Sequence, residues 1–173
     1  MKRRELIFTG LAALAAGSTL AGPAPAGGIK LGQAAPGFEV KTLDGKTLSA
    51  HALRGKVVIL SFWATWCGPC RQEMPALEAY YKAHAAQGLE IVAISMDDPN
   101  KDAMVRQVMS SYSFPAVLQR QAKVMDYGHV LALPMAFVIG RDGTLRMDGS
   151  QKVAAFDAAS LDQIVTPLLK SKS

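Results

Sequence analysis

Apolar residues along this chain come in two kinds of run. Between Lys56 and Trp63 the stretch KVVILSFW is almost continuously apolar and rich in β-branched residues. That is the pattern of a strand buried on both faces of a sheet. LEIVAIS from Leu89 and MAFVI from Met135 repeat it and predict two more buried strands. Between them, FPAVLQ from Phe114 predicts a short strand, followed by a short helix around Gln121 to Tyr127. FEVKTLDGKTL from Phe38 places two extended runs about Asp44-Gly45, a hairpin signal. TLRMD from Thr144 returns after Arg141-Asp142-Gly143 as the second arm of another hairpin.

The other runs have a helical period. From Cys67 to about Gln87, Met74, Leu77 and Tyr81 share one stripe, and Gly88 closes the helix at its C-terminal position. Pro75 should kink this helix one turn after Cys70. Asp97-Asp98-Pro99 offers a cap and a start for a helix reaching about Ser111. The last segment, Ala155 to Lys170, spaces Phe156, Leu161, Ile164, Val165 and Leu168 helically, and Pro167 should kink or shorten it. Strand, helix, strand, helix, hairpin and final helix describe one α/β domain over residues 36–173. Strands joined by a helix should run parallel and those around Gly143 antiparallel. The expectation is a mixed central sheet with helices on both faces and an N-terminal β-hairpin extension.

Composition adds compartment rather than fold. Half of the 173 residues are hydrophobic and 19% are charged, ample for a packed core. The net charge of +5 is partly N-terminal: without residues 1–26 the chain carries 16 basic against 13 acidic residues. The remaining Lys and Arg are scattered, which excludes the clustered basic footprint of a nucleic-acid surface. MKRR, an apolar stretch from Leu6 to Ala21 and the Ala24-Pro25-Ala26 cleavage site read as an export signal over residues 1–26. The 16-residue apolar stretch falls short of the ~20 needed to span a bilayer, and an uncleaved anchor is the alternative reading. Arg3-Arg4 resembles a twin-arginine signal beside the general secretory pattern. Residues 27–35, rich in Gly and Pro, follow as a leader or tether. Either route places the domain outside the cytoplasm, periplasmic or otherwise, where disulfides persist.

That compartment bears on the only two cysteines, Cys67 and Cys70, with Gly68 and Pro69 between them. A bridge over three positions closes almost no loop, so stability does not explain the spacing. A helix N-terminus does: its partial positive charge and unpaired N–H groups favour a thiolate. Cys67 opens the helix and should be the low-pKa attacking sulfur. Cys70, one turn on, lies within disulfide reach and should be the enclosed resolving thiol. Structural zinc would need four ligands, and His51, His84 and His129 are dispersed.

FWATWCGPC resembles the active-site signature of the thioredoxin fold, and CRQEMP with the upstream hairpin resembles its exported TlpA/ResA/CcmG branch. The likeness extends from about Pro36 to Lys170. It implies thiol–disulfide oxidoreductase activity, most simply protein-disulfide reduction, with no cofactor beyond the cysteine pair. It implies a cis-proline facing the cysteines, at Pro134, with the backbone of Leu133 pairing an extended substrate. It implies a proton-exchanging glutamate at Glu73, whose pKa burial near a thiolate should raise. Ser61 stands where cytosolic thioredoxin has a buried acid, and Met135 replaces the threonine common after the proline. Trp63 and Trp66 read as packing residues, Trp66 also shielding Cys67 and contacting partners. Implied partners are protein thiol or disulfide substrates, such as apocytochrome c or copper-site proteins, and a membrane thiol-reductase donor; nothing demands more than a monomer. The competing class is a copper(I) chaperone using both cysteines with His129 as third ligand. A peroxidase would need a Thr and Pro pattern around its reactive cysteine that is missing here.

Overall fold

The computed structural model describes residues 29–151 and 155–171. The export signal, read over 1–26, lies outside the described residues. The hairpin forms as β1 (Glu39–Thr42) and β2 (Thr47–Ser49), turned at Gly45, whose φ of 88° suits glycine. β3 (Val57–Trp63) and β4 (Leu89–Ser95) are buried at every residue, as continuous apolar runs require. The helix α1 (Gly68–His84) joins them. A 3-10 turn, Ala85–Gln87, prolongs α1 to Gly88, which adopts the left-handed conformation at φ 90°. α2 (Asp102–Met109), β5 (Ala116–Lys123), β6 (Met135–Ile139), β7 (Leu145–Asp148), α3 (Ala158–Ile164) and α4 (Thr166–Lys170) complete the order.

These strands make one sheet in the order β2-β1-β5-β4-β3-β6-β7. β3, β4 and β5 run parallel, and every other pairing is antiparallel. β3 and β4 pair in step from Val57 opposite Leu89 to Trp63 opposite Ser95. Their carboxyl ends therefore share one pole of the molecule, where ligands of parallel sheets characteristically sit.

The helices do not flank both faces as expected. Buried residues of all four, from Met74 and Leu77 through Val105 and Met109 to Leu161, Val165 and Leu169, belong to one apolar cluster with Ile59 and Trp63. The other cluster, around Phe62, Val92 and Phe137, is closed by Phe38, Leu53 and Tyr127 from connecting segments. The cause is topological. The crossovers β3-α1-β4 and β4-α2-β5 step the same way along the sheet, and connections of one hand then place both helices on one face.

Two local readings also change. The stretch around Gln121 is strand, not helix: β5 continues to Lys123 because β1 pairs with it, Glu39 opposite Lys123 and Val40 opposite Ala122. Only the 3-10 turn Met125–Tyr127 remains helical. Tyr80, rather than Tyr81, is the tyrosine that α1 buries. The described part of the leader is hydrogen-bonded to the domain. Gly32 N–H donates to Leu145 O (2.9 Å), Leu145 N–H to Gln33 O (2.8 Å) and Ala35 N–H to Gly143 O (2.9 Å), covering the start of an otherwise open edge. The C-terminal helix divides into α3 and α4 at Val165, with Pro167 in the first turn of α4, as its missing N–H dictates. Among the described residues no helix is long and apolar enough to cross a membrane.

Candidate active site

The site is built where β3 ends. Ala64, Thr65 and Trp66 leave the strand, and Cys67 caps α1 in an extended conformation, φ −82° and ψ 103°. Pro69 stands in the first turn, where no N–H is needed. The Cys67 sulfur accepts the Cys70 N–H at 3.2 Å, so it already sits on an unpaired donor of the helix terminus. Cys67 and Cys70 are joined as a disulfide with Cα atoms 5.3 Å apart. Cys67 is 4% exposed and Cys70 0%, so a partner's sulfur can approach only Cys67.

The loop carrying Cys67 is fixed from β4. Asp97 is 8% exposed and accepts from Thr65 N–H (2.9 Å), Thr65 Oγ1 (2.5 Å) and Ser95 Oγ (2.8 Å). Its sequence context reads as a helix cap, but Asp98 occupies the cap position without a side-chain bond, and the helix opens as a 3-10 turn at Pro99. Asp97 was legible only as a carboxylate at the carboxyl end of a buried parallel strand.

Trp63 and Trp66 divide their tasks. Trp63 is wholly buried in the cluster that holds both cysteines. Trp66 is 71% exposed, so it stands in solvent beside Cys67 more than it shields it. The Leu133–Pro134 bond is cis. β6 pairs with β3 so that Met135 lies opposite Phe62, which places Pro134 at the pole where Cys67 emerges. Pro134 is buried, Leu133 half-buried, and the preceding Leu131 and Ala132 are exposed.

Glu73 lies three residues after Cys70 on the same side of α1. It is 3% exposed. Its Oε2 accepts the Phe156 N–H at 2.8 Å, and its Oε1 accepts from Ser61 Oγ at 3.4 Å. Burial pushes its pKa from the ordinary 4.5 up to about 7, against the lowering effect of those two bonds. A carboxyl so placed changes protonation near neutral pH, as a proton carrier must. The sequence pattern marks Phe156 only as a core residue and Ser61 only as a substitution for an acid. Their service to Glu73 spans 83 and 12 positions respectively.

Sites that hold metals need several ligands together. Among the described residues no three His, Cys, Asp or Glu side chains form such a group, and His129 is exposed in its loop. The arrangement supports electron-pair exchange between sulfurs with a titrating acid alongside.

Comparison with known proteins agrees with that chemistry. Residues 31–147 match the AhpC/TSA family. The thiol-disulfide oxidoreductase ResA of Bacillus subtilis is 38% identical over 149 residues, covering 82% of each chain. Among solved structures, a thiol:disulfide interchange protein of the thioredoxin family from Chlorobium tepidum superposes with a TM-score of 0.66 at 27% identity, over 79% of this chain and 96% of that one. StoA from Bacillus subtilis superposes with a TM-score of 0.60 at 26% identity, over 74% of this chain and 95% of that one.

Proposed function

This chain belongs to the AhpC/TSA family and is a thioredoxin-like thiol–disulfide oxidoreductase; on that premise we propose that it is an exported reductase of protein disulfides. The observation that carries this is the pair itself: Cys67 at a helix N-terminus with a sliver of its surface exposed, Cys70 sealed behind it, and a neutral-range carboxyl on the same helix face. The Cys67 thiolate attacks one sulfur of a target disulfide, forming a mixed disulfide and releasing the other sulfur as thiolate. Glu73 takes the proton from Cys70, whose thiolate then attacks the Cys67 sulfur. The Cys67–Cys70 disulfide forms, the second target thiolate leaves, and two electrons have passed to the target.

Gly68-Pro69 between the cysteines favours a low potential, as in thioredoxin at about −270 mV. Outside the cytoplasm a reductase of that kind must be recharged, and a membrane thiol-reductase is the donor. Exposed Trp66 with Leu131 and Ala132 supplies an apolar rim for an extended peptide, and the Leu133 backbone its strand-like partner. Substrates with paired thiols awaiting a metal or haem, apocytochrome c or copper-site proteins, fit that rim. The domain acts as a monomer, and its export signal places it in the periplasm or an equivalent space.

The deciding measurement is the equilibrium potential of the Cys67–Cys70 pair, read by tryptophan fluorescence across a thiol buffer series. A value near −270 mV is expected. A value near −120 mV, that of a strong periplasmic oxidant, overturns the reductase direction.

A further inference from the structure

Ser61 is a residue that the exchange chemistry does not itself require. It is 1% exposed at the centre of β3, flanked by apolar residues, and a buried hydroxyl there costs stability unless it is bonded. The partner it has is the Glu73 carboxyl, 3.4 Å away, whose other oxygen takes the Phe156 N–H at 2.8 Å. Phe156 is itself held in place. It is 4% exposed, and Asp157 beside it caps α3 through a reciprocal pair, Ser160 N–H to Asp157 Oδ1 (2.8 Å) and Asp157 N–H to Ser160 Oγ (2.9 Å).

We propose that Ser61 is a positioning residue for Glu73, forming with the Phe156 N–H a two-point clamp that sets the pH at which this carboxyl can take up the Cys70 proton. The proposal rests on the reading of Glu73 as the proton carrier. Both clamp bonds donate to the carboxyl and favour its ionised form, while burial opposes it. Among the described residues no cation is paired with the carboxyl. β3 presents no charged side chain. On α1, Arg71 is exposed, and Glu78 is engaged by Lys82 and Ser113. On α3, the exposed Asp157 and Asp162 bond Ser160 and Thr166. Cys70, once reduced, is the titratable neighbour on the same face. The two donors thus favour the ionised carboxyl against the effect of burial.

The test is a carbon-13 NMR titration of the Glu73 side-chain carboxyl from pH 5 to 9, with wild type, Ser61→Ala and Ser61→Thr. The same proteins, reduced, are oxidised by hydroxyethyl disulfide at concentrations where the rate no longer rises, so that resolution by Cys70 is read. Removing the hydroxyl should raise the Glu73 midpoint by about half a pH unit or more and move the pH profile of resolution by the same amount, with its high-pH plateau unchanged. Ser61→Thr, which keeps a hydroxyl, should stay at the wild-type midpoint. If Ser61→Ala does not fold, Ser61→Gly also removes the hydroxyl and takes its place. An unmoved carboxyl midpoint in the hydroxyl-free variant overturns the clamp. Glu73→Gln separates the two ideas: if it leaves the pH profile of resolution intact, the proton-carrier reading falls, while the carboxyl midpoint still decides whether Ser61 sets the titration.

Discussion

Two buried glutamates stand toward opposite poles of the same sheet, and the fold treats them differently. Glu90, 6% exposed at the start of β4, meets Lys56 Nζ at 2.7 Å and the Tyr81 hydroxyl at 3.1 Å. Glu73, 3% exposed beneath the cysteine pole, meets one hydroxyl and one backbone N–H and, among the described residues, no cation. The pole of Glu90 is tied together throughout: the Arg141 guanidinium donates to the carbonyls of Gly55 (2.7 Å), Gln87 (2.6 Å) and Leu169 (3.0 Å). Burial thus does not decide whether an acid is structural or chemical. What decides it is whether the fold supplies a fixed counter-charge. Where it does, the carboxylate is tied into an ion pair; where the described residues supply only neutral donors, burial raises the pKa of the carboxyl toward neutrality.

The largest break in this contrast is kinetic. Glu73→Gln should slow resolution of a mixed disulfide by on the order of 10²-fold at pH 7, the scale of a lost general base. Stopped-flow fluorescence of the reduced protein against hydroxyethyl disulfide measures it.

The same variant sharpens the contrast in stability. Because the folded pKa of Glu73 is about 7 against 4.5 ordinarily, the folded state holds a proton that the unfolded chain gives up between those values. Its contribution is full below pH 4.5 and is lost as pH rises through about 7, roughly 3 kcal/mol in all. Glu73→Gln stays neutral, so its stability relative to wild type should grow across that window. Urea melts at pH 4.5 and pH 8 read the difference.

Next in size is the network that holds the Cys67 loop. Asp97→Ala leaves the Thr65 N–H and two hydroxyls without their acceptor in a buried place, at a cost of about 2–3 kcal/mol. Denaturant melts of the oxidised protein show it. The smallest effect belongs to the opposite pole. Lys56→Ala strips Glu90 of its counter-charge, but the Lys56 side chain is 42% exposed and water screens the loss, so about 1–2 kcal/mol is expected. Its reduction potential should equal that of wild type, whereas a shifted potential would mean that the two poles are electrostatically coupled.

Much of this is legible in the sequence. The largely apolar runs Val57–Trp63 and Leu89–Ser95 announce central parallel strands, since a strand covered on both faces is apolar at nearly every position. Cys-Gly-Pro-Cys at the strand-to-helix junction announces a redox pair by local geometry alone. What failed did so where distant partners outvote local preference. Gln121 to Lys123 read as helix until β1 offered a hydrogen-bonding edge. Asp97 read as a cap until Thr65 and Ser95 claimed it.

The sequence by itself determined the three buried strands, the two hairpins and the position of the cysteines on a helix start, because all of these are set by contacts within a few residues. The tertiary structure alone decided that the four α-helices share one face, that Asp97 anchors the reactive loop, and that the Ser61 hydroxyl and the Phe156 N–H meet the Glu73 carboxyl. Those outcomes depend on which surfaces meet across the sheet, and the energy of a buried charge depends on everything around it, which no local stretch of sequence contains.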